Sequence, residues 1–106
     1  MGVYKMIILI KDIVGSKTAI SYEDGEKCLK QVIEGIENNE KVILDFTGIE
    51  FVITAFLNPV IGDLIIKYGS DIMQKIEIRN ATKNIIEKIK IVKDGALVKR
   101  EDLEEN

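Results

Sequence analysis

The chain has 106 residues, of which 46% are hydrophobic and 31% are charged, with a formal net charge of −3 and no histidine. A chain of this length packs one domain rather than two, and its single cysteine, Cys28, excludes an internal disulfide bond. No segment approaches the roughly 18 consecutive apolar residues that a membrane span requires. We therefore expect a cytoplasmic protein that uses no metal, no cofactor and no membrane.

The first half of the chain predicts a strand followed by a helix. Residues 4–13 have a continuous apolar centre, which indicates a strand covered on both faces, and residues 18–20 add a short extended piece. Ser21 is a typical N-cap for a helix of about four turns, along which apolar residues form one stripe. Cys28 lies within that stripe, so we interpret it as a core residue rather than a nucleophile.

The segment 41–64 organises the rest of the chain. It begins with a buried strand, residues 41–46, which follows the first helix so closely that it indicates an α/β arrangement. The strand leads into a turn at Thr47 and Gly48. We expect the Asp45 carboxylate to stabilise this turn through hydrogen bonds, in the manner of Asx turns.

A helix follows this turn, and the pattern leaves its start open. Thr54 could cap it, which would place Pro59 inside the helix at a cost of about 3 kcal/mol. Alternatively, Asn58 caps it and Pro59 takes the first helical position, which proline favours. We favour a compromise, namely one helix from about Ala55 that is kinked or loosened near Pro59 and ends at Gly69.

The remaining segment predicts one more strand and one more helix. Residues 75–79 alternate as a strand does, and a helix runs from about Lys83 until Gly95 interrupts it. Residues 1–98 are then a single domain, and residues 99–106 are an acidic C-terminal tail or a frayed extension. The whole pattern predicts one small α/β sandwich, with a mixed sheet of about four strands and three to four helices.

This order of elements resembles the STAS domains, the fold of the anti-sigma factor antagonists. Their phosphorylation loop reads Phe-Ile/Met-Asp-Ser-Ser/Ala-Gly-Leu, and residues 51–57, FVITAFL, occupy that frame without a gap. Thr54 stands at the position of the serine that a partner kinase phosphorylates in those regulators. Ile53 replaces the aspartate, and Phe56 replaces the glycine.

The sequence resembles more closely a STAS-like family of unknown function. Its core pattern is Asp-Phe-x-Gly-Val/Ile, then Ser/Thr-Ser/Ala-Phe-Leu-Asn-Glu, an apolar pair and Gly. The sequence has DFTGI at residues 45–49 and TAFLNPVIG at residues 54–62, with Pro59 in place of the acidic residue. The resemblance covers roughly residues 5–92.

The resemblance implies a non-catalytic regulatory module that binds another protein. The partner it implies is a kinase-like ATPase or an anti-sigma-type regulator. Phosphate on Thr54 would switch the binding. Such a phosphate would lie near a helix start, where free N–H groups favour a dianion. The alternative interpretation of Thr54 is a plain helix cap. The expected contact residues are Thr54, Ala55, Phe56, Leu57 and Asn58.

Other functions stay open beside this one. The first is a self-associating structural or accessory protein, a homodimer without a phospho-switch, that pairs through a sheet edge or an apolar helix face. The basic face of the last helix, with Lys83, Lys88, Lys90 and Lys93, suggests nucleic-acid binding, which the net charge of −3 disfavours. An enzyme is disfavoured because the sequence has no histidine, one cysteine, no cluster of acidic residues at metal-ligand spacing and no phosphate-binding glycine loop.

Overall fold

Five strands and five α-helices form the described part of the chain, residues 4–104, in the computed structural model. The strands are β1 (Lys5–Leu9), β2 (Thr18–Ala19), β3 (Lys41–Asp45), β4 (Phe51–Val52) and β5 (Ile76–Arg79). The helices are α1 (Ile10–Val14), α2 (Tyr22–Glu37), α3 (Thr54–Leu57), α4 (Leu64–Tyr68) and α5 (Lys83–Glu104). A π-helical segment, Asn58–Asp63, joins α3 to α4, and a 3₁₀ segment, Ser70–Lys75, precedes β5.

The strands form two separate parallel sheets. β3 lies between β1 and β5 in the main sheet, and β2 pairs with β4 in the smaller one. Main-sheet strands that are connected through helices run in the same direction, because the helix returns the chain to the end of the sheet at which the preceding strand began. The α/β class is therefore confirmed, and the predicted mixed sheet of about four strands is wrong. The sandwich arrangement stays a prediction.

One face of the main sheet carries the hydrophobic core. The strand register aligns Met6 with Val42 and Ile8 with Leu44 on this face. A Cβ added to Gly35 of α2 would lie 2.7 Å from Val42 Cγ2 and 2.9 Å from Met6 Sδ. Because real Cβ atoms do not approach so closely, a side chain at residue 35 would displace Val42 or Met6, so α2 packs closely onto this face.

The opposite face of β1 is open to solvent. Ile7 is 56% exposed and Leu9 is 41% exposed, and the strand ends at Leu9, where α1 begins. The prediction of a strand that reaches Ile13 and is covered on both faces is therefore wrong. The apolar run did not reveal that β1 is an edge strand with α2 on one face. It also did not reveal that Gly15, with a φ of 66°, closes a short helix.

α2 forms as the sequence predicts. Ser21 Oγ accepts a hydrogen bond from the backbone N–H of Asp24 at 3.0 Å, which confirms the N-cap. Cys28 is fully buried, and burial raises the pKa of its thiol to about 12. The thiol therefore stays protonated at neutral pH, which confirms Cys28 as a core residue.

The chain from residue 54 to residue 68 is helical throughout, and its middle part is the π-helical segment. This confirms the predicted helix that loosens near Pro59, because a wider turn accommodates the missing N–H and the ring of proline. The N-cap is Ile53, in an extended conformation and without a side-chain hydrogen bond. Neither Thr54 nor Asn58 therefore caps the helix.

α5 is continuous, so the predicted interruption at Gly95 is wrong. A glycine inside a helix costs about 1 kcal/mol relative to alanine, but the buried Val92 and Ala96 beside it hold the helix against the core. Residues 99–104 of the predicted acidic tail continue the helix, and residues 105–106 lie outside the described residues. No helix in the described part is long and apolar enough to cross a membrane.

Candidate functional site

A groove of about 470 Å³ lies between the helical stretch 54–68 and α5, and we call it the Thr54 groove. The sequence pointed to Thr54 and Asn58 but missed the opposite wall, because no local pattern says which helix packs beside residues 54–68. The spacing of four between Thr54, Asn58 and Gly62 was a usable signal for the first wall. The lining residues are Thr54, Asn58, Gly62, Asp63, Ile66, Ile91, Val92, Gly95, Ala96 and Lys99.

The two glycines of the lining differ: Gly62 is buried, whereas Gly95 is exposed and leaves open space in the groove. A Cβ added to Gly62 would lie 3.5 Å from Val92 Cγ1, which is an ordinary van der Waals contact. A Cβ added to Gly95 would meet no atom within 4 Å. The fold therefore does not require glycine at residue 95, and a side chain placed there would project into open space.

Replacing Gly95 by alanine is expected to stabilise the protein. The Cβ meets nothing, and alanine loses less backbone entropy in a helix, so the free energy of unfolding should rise by about 0.5–1 kcal/mol. Urea unfolding followed by circular dichroism measures this. The control is Gly15→Ala, which also has open space but a φ of 66°, so it should destabilise. A Gly95→Ala protein less stable than wild type would contradict the open geometry.

Apolar side chains of α5 are exposed beside the groove. Ile91, which lines it, is 65% exposed, and Val98 is 59% exposed. The spacing of seven places them on the same face of α5. Asp63 and Lys99 lie among the lining residues with opposite charges. An apolar surface with a polar rim is typical of protein interaction sites.

Thr54 is exposed at the first position of α3, where backbone N–H groups have no acceptor within the helix. A positive charge of α5 contacts the segment before it. Lys88 Nζ donates a hydrogen bond to the Val52 carbonyl oxygen at 2.6 Å and lies 4.3 Å from the centroid of the Phe51 ring. The ammonium of α5 is thus anchored to a backbone carbonyl two residues before Thr54, a feature that sequence reasoning missed.

Two of the expected contact residues are not available to a partner. Phe56 and Leu57 are fully buried and belong to the core, so their prediction as contact residues is wrong. Four residues of a helix point in four directions, and only those at spacings of three or four share a face. Thr54 and Asn58 are exposed on the groove side, whereas Ala55 is half-buried.

The turn after β3 is built around the Asp45 carboxylate. Its Oδ1 accepts hydrogen bonds from the Thr47 backbone N–H at 2.9 Å and from the Thr47 hydroxyl at 2.6 Å. The Asn80 side-chain amide donates a third at 3.1 Å, which joins the ends of β3 and β5. These bonds, the Thr47 hydroxyl foremost, lower the pKa of Asp45. Gly48, with a φ of 80°, completes the turn.

Replacing Asp45 by asparagine is expected to destabilise the protein more at neutral pH than in acid. A carboxylate whose pKa is lower in the folded state stabilises the fold above its unfolded pKa of about 3.9. That stabilisation is lost as the pH falls through the lowered pKa of Asp45 in the folded state. Urea unfolding of both proteins near neutral pH and below about pH 3 measures the difference. If the free energy of unfolding of Asp45→Asn differed from that of wild type by the same amount at both pH values, the carboxylate charge would not stabilise the fold.

A family model described as a STAS-like domain of unknown function matches residues 24–86, which is more than half of the chain. The chain belongs to this family. The resemblance drawn from residues 45–62 is thereby confirmed. No curated protein and no solved structure matches the chain.

The match covers one wall of the Thr54 groove and not the other. The wall from Thr54 to Ile66 lies inside the matched span, whereas the α5 wall, residues 91–99, lies beyond its end at residue 86. This STAS-like domain therefore completes its groove with a part of α5 that lies outside the matched residues.

Proposed function

We propose that this STAS-like domain is a non-catalytic regulatory module that binds a partner protein in the Thr54 groove. The observation that supports the proposal most strongly is the groove itself, in which Gly95 leaves open space and which Ile91 and Val98 border with exposed apolar surface. When a partner covers exposed apolar side chains beside a concave surface, the free energy of the complex is lowered.

The lining fits an amphipathic helix of the partner. Exposed Gly95 on the α5 wall allows close approach of another backbone, and Ile91 and Val98 offer apolar contact. Asp63 and Lys99 would favour a partner with complementary charges. Such charge pairs raise the specificity and the association rate more than the affinity. The partner classes that the resemblance implies are a kinase-like ATPase and an anti-sigma-type regulator.

A finer form of the proposal makes Thr54 a switch. A phosphate on this exposed hydroxyl would add negative charge to the groove lining and disrupt apolar docking through its desolvation cost. The Lys88 ammonium, anchored to Val52, offers a nearby positive charge to such a phosphate. Docking in the groove does not depend on this switch, so the two are tested separately.

Capture from the native host with matched variants tests the docking proposal. Gly95→Leu fills the groove where a Cβ meets no atom, and Lys90→Leu adds the same side chain at an exposed α5 position that is not part of the groove lining. We expect a specific protein to bind to wild type and to Lys90→Leu and to be lost with Gly95→Leu. A partner that binds all three equally would exclude the groove as the interface.

The switch is tested in the same experiment by intact mass and by two Thr54 variants. Thr54→Ala should keep the fold and abolish any added phosphate, and Thr54→Glu should weaken capture of the partner. If Thr54→Glu captures the partner as well as wild type does, or if the intact protein carries no phosphate, the switch is wrong while docking can still hold.

A further inference from the structure

Among residues 4–104, the outer edge of β1 offers backbone groups without a partner. The Lys41 backbone N–H donates to the Tyr4 carbonyl oxygen at 2.8 Å, which shows that the polar groups of Tyr4 point at β3. Because successive residues of a strand point their backbone groups to alternate sides, those of Lys5, Ile7 and Leu9 point away from β3. The Leu9 carbonyl oxygen stands at the start of α1, so Lys5 and Ile7 offer complete donor and acceptor pairs.

This edge lacks the features that normally protect an edge strand. Such strands are blunted by charges, proline or bulges, but β1 pairs with β3 in unbroken register over five residues and carries one charge, Lys5. Ile7 and Leu9 are 56% and 41% exposed. A groove of about 570 Å³ lies beside residues 7–9 of β1, and Asp12 and Ile13 of α1 and Lys27 and Gln31 of α2 complete its lining.

We propose that this edge pairs with the same edge of a second copy of the chain. The two β1 strands run antiparallel about a two-fold axis at Ile7, and the two three-stranded sheets become one sheet of six strands. Ile7 then exchanges both backbone hydrogen bonds with Ile7 of the second copy. The inference goes beyond the docking function, because β1 shares no residue with the Thr54 groove.

The side chains of β1 are self-complementary in this arrangement. Ile7 lies opposite Ile7, so apolar surface that is exposed in the single chain becomes covered. Lys5 lies opposite Leu9 of the second copy, so the pairing places no two lysines opposite each other. A two-fold pairing of identical edges also closes on itself, whereas pairing of β1 with the β5 edge of another copy would continue into a fibre.

The helix beside this edge carries charges that match the same two-fold axis. Lys27, Gln31 and Glu34 lie at spacings of four and three on α2, so they share one face. Gln31 stands between the two charged residues and lines the groove together with Lys27. Two copies of α2 that run antiparallel about Gln31 place Lys27 of one copy opposite Glu34 of the other, which is a favourable arrangement.

Light scattering after size exclusion, over a range of protein concentrations, tests the proposal. Wild type should approach about twice the 11.9 kDa mass of the chain as concentration rises. Ile7→Lys and Ile7→Glu should each remain at the mass of one chain, because the two-fold axis places each new charge opposite its own copy. An equimolar mixture of the two variants should restore the dimer, since a lysine then faces a glutamate.

The control is Ile86→Lys on α5, whose side chain is 53% exposed and which should dimerise like wild type. Circular dichroism of all variants verifies the fold. A wild type that stays at 11.9 kDa at every concentration would overturn the proposal, as would a dimer that persists in Ile7→Lys. Binding of an extended peptide to β1 of a protein that stays monomeric would overturn the second copy as the occupant.

Cysteine cross-linking tests the register. Ile7→Cys should form a disulfide with its own copy, because the Cα atoms of a hydrogen-bonded antiparallel pair lie about 5.5 Å apart. A mixture of Lys5→Cys and Leu9→Cys should also cross-link, whereas neither should do so alone. The buried thiol of Cys28 adds no background. Efficient cross-linking of Lys5→Cys by itself would overturn this register.

Discussion

Replacing Phe56 by alanine is expected to lower the free energy of unfolding by about 3–5 kcal/mol. Phe56 is fully buried and is among the largest side chains in the core, where the loss of its ring leaves a cavity. A domain of this size is stable by about 5–15 kcal/mol in total, so this loss is a large fraction. Urea unfolding followed by circular dichroism measures it.

The control for this change is Thr54→Ala, two residues earlier on the same helix. Thr54 is exposed and makes no cap, so the free energy of unfolding of Thr54→Ala should stay within about 0.5 kcal/mol of the wild-type value. A Phe56→Ala protein as stable as wild type would contradict the burial. It would also return Phe56 to the surface role that the family motif implied.

Replacing Gly25 by alanine is expected to destabilise the protein by about 1–3 kcal/mol, although alanine favours helices. A Cβ at this position would overlap the Phe56 carbonyl oxygen and lie 2.5 Å from Pro59 Cγ. Neither neighbour is the flexible end of a side chain, so α2 and the helical stretch 54–68 would have to separate. The same unfolding measurement, made on purified Gly25→Ala, gives the size of this loss.

Gly95→Ala is the matched control, because the same change in another helix meets no atom within 4 Å. The two substitutions should therefore act in opposite directions, with Gly25→Ala less stable and Gly95→Ala more stable than wild type. If Gly25→Ala were as stable as wild type, the close contact between α2 and the helical stretch 54–68 would be wrong.

The features that sequence predicted correctly have local causes. The Ser21 cap follows from a hydroxyl three residues before the backbone N–H that donates to it. The loosened helix follows from Pro59, whose ring and missing N–H act within one turn. The buried β3 follows from its continuous apolar run.

The features that sequence missed depend on neighbours distant in the chain. The apolar run of β1 does not tell an edge strand from a central one, so the exposure of Ile7 was not predicted. The second wall of the Thr54 groove, around Gly95, depends on how α5 packs. The burial of Phe56 could have been predicted, because applying helical periodicity to the motif separates it from Thr54 and Asn58.

The measurement that tests the central claim most directly is the affinity of the captured partner for wild type, Gly95→Leu and Lys90→Leu, determined by isothermal titration. If the partner binds in the Thr54 groove, Gly95→Leu should weaken binding more than about tenfold, equivalent to about 1.4 kcal/mol. Lys90→Leu, away from the groove lining, should bind like wild type. Equal affinity for Gly95→Leu and wild type would contradict the claim that the groove is the docking site.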